Sequence, residues 1–247
     1  MEQIRTYQDT FRVQQNECDF RNEMMAAAFL RRAQQIGIDQ CNAVGLVNEV
    51  YEKTNTAFLM AKSTIELLQP VSVNERLTVK TIPSAAKRAV YNRIVIFYNE
   101  QGEEVAVYDS RWVLVDRTAR RILRTPPAEI GVFFTEPAQR ELDLSVVKTE
   151  LSFEQKMIAG YSVCDCNGHI NNTRYADLIC NFISAQEFES KRIQKMVLLY
   201  HKEIPFGAEF ELKRGKQAEN RIYFTAQAQD KNCMEANVIF ESIKKDE

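Results

Sequence analysis

Alternating apolar and polar positions from Thr6 to Val13 predict an opening strand, ended by a polar break from Gln14 to Asn22. Met25, Ala28, Phe29, Ala33 and Ile36 then recur at three- and four-residue steps, one face of a helix, with Gly37 as its expected C-cap. From Thr56 onward the period shortens to two. FLMAKSTIELL, ERLTVKTIP, AVYNRIVIFYN and EVAVYDSRWVLVD read as four strands, with a turn at Glu100–Glu103 between the last two.

A proline-rich, helix-poor stretch from Arg124 to Val146 follows and reads as a linker. The order of elements then repeats. Thr149 to Ala159 is a strand, Tyr175, Leu178, Ile179, Phe182 and Ile183 mark a second apolar helix face, and KMVLLYHKEI, EFELKRG, NRIYFTAQAQD and CMEANVIFES are strands. The two halves match at residue level. ECDFRNEMMAAAFLRRA takes the slot of DCNGHINNTRYADLICNF, and PVSVNERLTV that of EIPFGAEFEL. The fold class is therefore α+β, in two copies, each an antiparallel β-sheet wrapped around a long central α-helix. The expected boundaries are 1–124, a linker over 125–146, and 147–247.

The copies differ in their polar groups. Asp165, Asn167 and His169 stand at every second position, and in an extended segment all three leave the backbone in the same general direction. Gly168 permits a tight conformation just before the histidine. Asn171, Asn172 and Thr173 are N-cap residue types for the helix that follows. The first copy has neither the asparagine nor the histidine, so the second is expected to carry the chemistry.

Composition narrows the function. A net charge of -2 argues against nucleic-acid binding. No run of about 18 apolar residues offers a membrane span, and MEQIRTYQDTFRV has no apolar signal core, so a cytoplasmic protein is expected. The six cysteines, Cys18, Cys41, Cys164, Cys166, Cys180 and Cys233, lack disulfide spacing and are expected as reduced, mostly buried thiols. Cys164-x-Cys166 has no second pair and only two histidines exist, so no metal or other cofactor is expected.

DCNGHINNTRYAD is similar to the Asp-x-Asn-x-His-x-Asn-Asn motif of the acyl-acyl carrier protein (acyl-ACP) thioesterases of plant plastids and bacteria. The resemblance runs from about Tyr7 to Phe240. RWVLVDRTARRILRTPPAE looks like the end of that family's first domain, and LLYHKEIPFGAEF like the segment with its distal catalytic glutamate. The resemblance implies a tandem hotdog fold, with the acyl chain held by the first hotdog and catalysis by the second. It implies release of free fatty acid from acyl carrier protein, terminating fatty acid synthesis. An acyl-coenzyme A substrate and a non-catalytic acyl-binding protein are the alternatives. Either a monomer or a homodimer fits.

Carried over position by position, the family's catalytic residues fall on Asp165, Asn167, His169 and Glu203. Where plant members place a cysteine after the glutamate this chain has Ile204, which removes a cysteine nucleophile from that position. The expected chemistry is water activation by Glu203 and His169, with Asn167 orienting the carbonyl or the water. Backbone N–H groups near Asn171 and Asn172 would polarise the carbonyl oxygen. Asp165 either orients Asn167 and His169 or attacks the carbonyl itself. His201, two residues before Glu203, would share its strand face in an auxiliary role.

Met24, Met25, Ala27, Ala28 and Phe29 on the first helix, with Phe58, Met60 and Trp112 opposite, are candidates to line an acyl tunnel, although core packing accounts for them equally. Acyl carrier protein is acidic, so a basic docking surface is expected. Arg117, Arg120, Arg121 and Arg124 form the densest basic cluster, and Lys87, Arg88 and Arg93 a second; a solvated face is the alternative for both.

Overall fold

A computed structural model describes residues 6–215 and 220–243. The chain divides into two compact units: Met1–Ser63 with Leu68–Asp143, and Thr64–Leu67 with Leu144–Glu247.

Unit 1 contains β1 (Tyr7–Arg12), α1 (Ala26–Ala43), α2 (Asn48–Thr54), β2 (Thr56–Leu67, the last four residues of which belong to unit 2), β3 (Arg76–Pro83), β4 (Val90–Tyr98), β5 (Glu104–Asp116), β6 (Arg121–Ile122) and α3 (Ala128–Gly131). Its strands run in the order β1-β3-β4-β5-β2, with β6 paired to β5. The pairs β1/β3, β3/β4 and β4/β5 are antiparallel. α1 buries Ala27, Ala28, Phe29, Ala33 and Ile36, and Phe29 meets Phe97 of β4 edge to face with ring centroids 5.1 Å apart.

The helix does not stop at Gly37. It continues to Ala43, and Gly45, at φ +82°, provides the left-handed residue that ends it. Gly37 lies in the helix interior against Arg93: a Cβ there would stand 3.4 Å from Cδ of that side chain, an ordinary contact.

The other face of β4 and β5 is covered by the proline-rich segment. Buried Asp109 accepts hydrogen bonds from Arg111 Nε (2.9 Å), Asn92 Nδ2 (2.7 Å) and the Leu142 N–H (2.8 Å). Arg140 pairs with Glu104 at 2.8 Å.

Unit 2 contains β7 (Leu151–Ile158), α4 (Arg174–Asn181), α5 (Ala185–Ser190), β8 (Lys191–Tyr200), β9 (Glu209–Gly215), β10 (Arg221–Ala228) and β11 (Lys231–Ser242). The order is β8-β11-β10-β9-β7, and the four pairs are antiparallel. Buried Asn237 of β11 anchors the chain entering this unit, exchanging hydrogen bonds of 2.7 and 2.9 Å with the Val147 backbone.

The expected long second helix is interrupted. α4 has eight residues and buries Tyr175, Ala176, Leu178 and Ile179; Phe182 and Ile183 fall in the turn after it. Ser184 then opens α5 with a capping box: its hydroxyl accepts from the Glu187 N–H (3.3 Å) and its own N–H donates to Glu187 (3.0 Å). A helix restarting at its own cap cannot continue the previous one in register. Each unit is nonetheless an antiparallel sheet packed on helix, the tandem hotdog expected from the sequence. Among the described residues no helix is long and apolar enough to cross a membrane.

Candidate active site

Residues 164–170 form a tight loop rather than the extended approach expected. The Asp165 N–H donates to the His169 carbonyl (3.1 Å) and the Gly168 N–H to the Asp165 carbonyl (2.9 Å). Gly168 adopts φ +77°, which its lack of a Cβ permits. Cys164 and Ile170 pair as an antiparallel bridge across the neck.

Asp165 holds the loop from inside. Its Oδ1 accepts the Asn167 N–H (2.8 Å), closing an Asx turn, and its Oδ2 accepts from Asn171 Nδ2 (2.8 Å). Asn171 Oδ1 in turn accepts the Thr173 N–H (2.9 Å) and hydroxyl (2.8 Å) at the start of α4. One carboxylate thereby ties the loop to the helix. The Asn167 side chain projects to solvent and has no hydrogen-bond partner among the described residues.

Glu203 reaches the loop from the segment after β8. That segment is laced on by the Ile170 N–H to the Ile204 carbonyl (3.0 Å) and the Phe206 N–H to the Gly168 carbonyl (2.9 Å), with His169 bridged to Pro205. The result brings His169 Nε2 to 3.5 Å from Glu203 Oε1. His169 Nδ1 lies 3.0 Å from the Ile170 carbonyl oxygen. A carbonyl only accepts, so Nδ1 carries a proton, and Nε2 is the ring nitrogen that faces Glu203. The imidazole is mostly covered and the carboxylate is exposed.

Tyr175, which the sequence marked only as part of an apolar face, is buried at the start of α4. Burial chiefly, then the neighbouring Cys233, Cys164 and Glu203, push its phenol above its ordinary range, so it stays a neutral hydroxyl. Its ring lies 6.0 Å from that of Tyr200, whose hydroxyl donates to the Asn172 carbonyl (3.1 Å).

Several expectations are corrected. β8 ends at Tyr200, and His201 turns to Glu235 (Nε2 to Oε1 3.5 Å), so it does not share a face with Glu203. The Asn171 N–H is engaged by the Val163 carbonyl (2.9 Å), leaving the Asn172 N–H without a partner among the described residues. All six cysteines are free, but only Cys233 is buried and Cys166 is exposed.

The first copy builds the same scaffold with different side chains. Cys18 bridges Met24, the Asp19 N–H donates to the Glu23 carbonyl (2.9 Å), Asn22 takes φ +63°, and the Met24 N–H donates to the Val71 carbonyl (2.7 Å). In register, Asp19, Arg21 and Glu23 stand where Asp165, Asn167 and His169 do, and Pro70 stands where Glu203 does. Arg21 closes on Asp19 (2.8 Å), an internal ion pair in place of a histidine–carboxylate pair.

The residues expected to line an acyl tunnel belong to unit 1. Met24, Ala27, Ala28, Phe29 and Met60 are buried, and Met25, Phe58 and Trp112 are half-buried. Met60 Sδ accepts from the Tyr108 hydroxyl (3.6 Å), and Trp112 Nε1 donates to Ser110 Oγ (2.9 Å). Phe58 lies in an aromatic cluster with Tyr51, Tyr91 and Phe134 at centroid distances of 6.2, 5.0 and 5.5 Å. Arg117, Arg120, Arg121 and Arg124 are all exposed on the β5–β6 hairpin and its exit, without ion-pair partners among the described residues. Lys87 and Arg88 are exposed too, but Arg93 is not part of a surface cluster: its guanidinium points under α1 to Gln40.

Residues 5–131 match the N-terminal domain of the acyl-ACP thioesterase family and residues 146–242 its C-terminal domain. A chloroplastic palmitoyl-acyl carrier protein thioesterase of Gossypium hirsutum is 24% identical over 190 residues, 70% of this chain and 46% of its own length, so the chain spans about half of that relative. An acyl-ACP thioesterase structure from Bacteroides thetaiotaomicron VPI-5482 superposes with a TM-score of 0.84 at 19% identity, covering 98% of this chain and 100% of that one. The 12:0-ACP thioesterase of Umbellularia californica gives 0.86 at 15% identity, covering 96% and 98%. With both domain matches spread over nearly its whole length, the chain belongs to the acyl-ACP thioesterase family.

Proposed function

We propose that the chain is a thioester hydrolase that releases free fatty acid from acyl carrier protein, acting in the cytoplasm at the end of fatty acid synthesis. The observation that carries the chemistry is the convergence of His169 Nε2 and Glu203 Oε1 at 3.5 Å, with Nδ1 turned to the Ile170 carbonyl. With the imidazole neutral, a water seated beside the pair and bonded to both acceptors loses a proton to Nε2 as its oxygen bonds to the thioester carbon. Glu203 orients that water and offsets the charge of the imidazolium. The tetrahedral oxyanion collapses, the C–S bond breaks, and the imidazolium returns its proton to the departing sulfur. A thiol of pKa about 8.5 leaves readily, so no stronger acid is needed. A base of this kind contributes about 10²–10⁴-fold.

Asp165 is a positioning residue. Both of its oxygens already accept hydrogen bonds from the loop and from Asn171, which favours the orienting role over attack on the carbonyl. The exposed amide of Asn167 and the Asn172 N–H are the donors available to the carbonyl oxygen. Unit 1 is read as the acyl-binding hotdog and unit 2 as the catalytic one, because the first copy has Glu23 and Pro70 where the second has His169 and Glu203. The arginines of the β5–β6 hairpin are read as the dock for the acidic carrier.

The test is incubation of the purified protein with acyl carrier protein thioesters of graded chain length, and with matched coenzyme A thioesters, reading released acid. Release from the carrier-protein series is expected, and its loss in His169→Ala. No release from any thioester on either carrier would overturn the reading.

A further inference from the structure

Arg93 lies in β4, on the face that looks toward α1. Its Nη1 donates to Gln40 Oε1 (2.7 Å) and Thr81 Oγ1 (2.9 Å), and its Nη2 points to Cys41 Sγ (3.6 Å). These partners satisfy donors but none supplies a negative charge. Among the described residues no carboxylate pairs with this guanidinium, whereas Arg32, Arg111 and Arg140 each have one. Holding a cation largely out of water without a carboxylate beside it is unfavourable. The fold nevertheless keeps it under α1, with Gly37 at contact distance from its Cδ.

Its surroundings offer further unused donors. Tyr51 and Cys41 pack against the same cluster as Tyr91, and the Tyr51 hydroxyl has no hydrogen-bond partner among the described residues. The hydroxyl of Tyr91, two residues from Arg93 on the same face of β4, is buried without a partner among the described residues. Tyr51 and Tyr91 share the aromatic cluster with Phe58 and Phe134, several of whose members are only half-buried. A charged fork, spare hydroxyl donors and an incompletely closed apolar wall ask for one kind of ligand: an anion that accepts hydrogen bonds and trails an alkyl chain. A carboxylate matches the guanidinium fork two-to-two.

We propose that unit 1 contains a carboxylate-binding point, in which Arg93 clamps the carboxylate of an alkyl ligand, Tyr51 adds a hydroxyl donor, and the alkyl chain lies along Phe58, Tyr91 and Phe134. This deepens the reading of unit 1 as acyl-binding and rests on it for the choice of an alkyl chain. Two molecules carry this chemistry. One is free fatty acid, the product of the proposed reaction. The other is an acyl thioester with a carboxyl group at its far end.

The single tryptophan, Trp112, packs against the same cluster and reports binding directly. Dodecanoate and 1-dodecanol, both below micellar concentration, are titrated into the full-length protein by Trp112 fluorescence and by calorimetry. Wild type should bind the acid about ten- to hundredfold more tightly than the alcohol, the range of a charge-assisted hydrogen bond or two. Arg93→Met should remove that preference, Arg93→Lys retain part of it, and Tyr51→Phe reduce it. Arg93→Met takes a donor away from buried Gln40 and Thr81 and should melt below wild type, so binding is read on protein confirmed folded by circular dichroism. Equal affinity for acid and alcohol in wild type, or a preference that survives in Arg93→Met, overturns the proposal and leaves Arg93 a structural partner of Gln40 and Thr81.

Hydrolysis of dodecanoyl and ω-carboxydodecanoyl thioesters then separates the two sources. An Arg93-dependent gain for the ω-carboxyl chain assigns the point to substrate; acid binding without that gain assigns it to free fatty acid. Failure of the hydrolase reading appears separately, as no turnover of the dodecanoyl thioester while acid binding persists.

Discussion

At residue scale the site depends on which hydrogen bonds are already taken. His169 has Nδ1 committed to the Ile170 carbonyl, so only Nε2 is available, and that atom faces Glu203. Asp165 and Asn171 form the struts behind it. Asn171→Ala removes a partner of Asp165 and the acceptor for the Thr173 N–H, and should lower stability by about 0.5–2 kcal/mol, measured by denaturant unfolding. His201→Ala should leave kcat unchanged in the same thioester assay, because His201 turns to Glu235; a loss matching that of His169→Ala would contradict the assignment. The residue types of the site were legible before the structure, but not their geometry. Spacing at every second residue fits a strand and an Asx turn alike, and Asp165 with the N–H two residues on makes the turn. Tyr175 escaped notice because a tyrosine on an apolar helix face carries no mark that a carboxylate influences it. Arg93 was misread as surface charge for the opposite reason: a basic residue in a strand declares itself by charge, while the Gln40 side chain that holds it under α1 sits 53 residues earlier.

Local punctuation decides the elements. Strand periods were clear enough that β9 coincides with EFELKRG, but both helix ends were misjudged. A glycine stops a helix only where its conformation turns left-handed, as Gly45 does and Gly37 does not. Ser184-x-x-Glu187 is a capping box written in the sequence, and it ends the hope of one long helix there. Two consequences can be measured. Gly37→Ala removes a helix-interior glycine and puts its methyl at ordinary contact with Arg93, so it should be neutral or stabilise by up to about 1 kcal/mol. Gly37→Leu must displace Arg93 and should destabilise by about 1–3 kcal/mol. Thermal unfolding distinguishes the pair. The second concerns Glu187. Burial acts to raise its pKa, but Arg214 and Ser184 outweigh it and hold the carboxyl below its usual range. Stability from this group is therefore complete above the unfolded value, about 4.3, and is lost as pH falls through the lowered folded value. Wild type should melt above Glu187→Gln near neutral pH, with the gap closing in acid; a gap that widens on acidification would reverse the sign.

At the scale of the whole molecule, one duplicated scaffold has been given two uses. The loop hydrogen bonds of residues 18–24 recur in 164–170, yet the first loop closes an internal ion pair and only the second presents a histidine to a carboxylate. Charge is distributed unevenly as well. The chain is acidic by two units overall, yet four arginines without ion-pair partners among the described residues are exposed around one hairpin. Arg120→Glu with Arg121→Glu should raise KM for carrier-protein thioesters with kcat unchanged. The effect should shrink as salt rises, since screening shortens to about 10 Å at 0.1 M. An unchanged KM would remove the hairpin from the docking surface. The most direct test of the central claim is the hydrolysis of one acyl carrier protein thioester by His169→Ala, Glu203→Ala and the double variant, each confirmed folded. If the two side chains activate one water together, each single loss costs about 10²–10⁴-fold and the double variant is little worse than the weaker single. Singles that both keep more than about a tenth of wild-type activity, well short of such a loss, would contradict it.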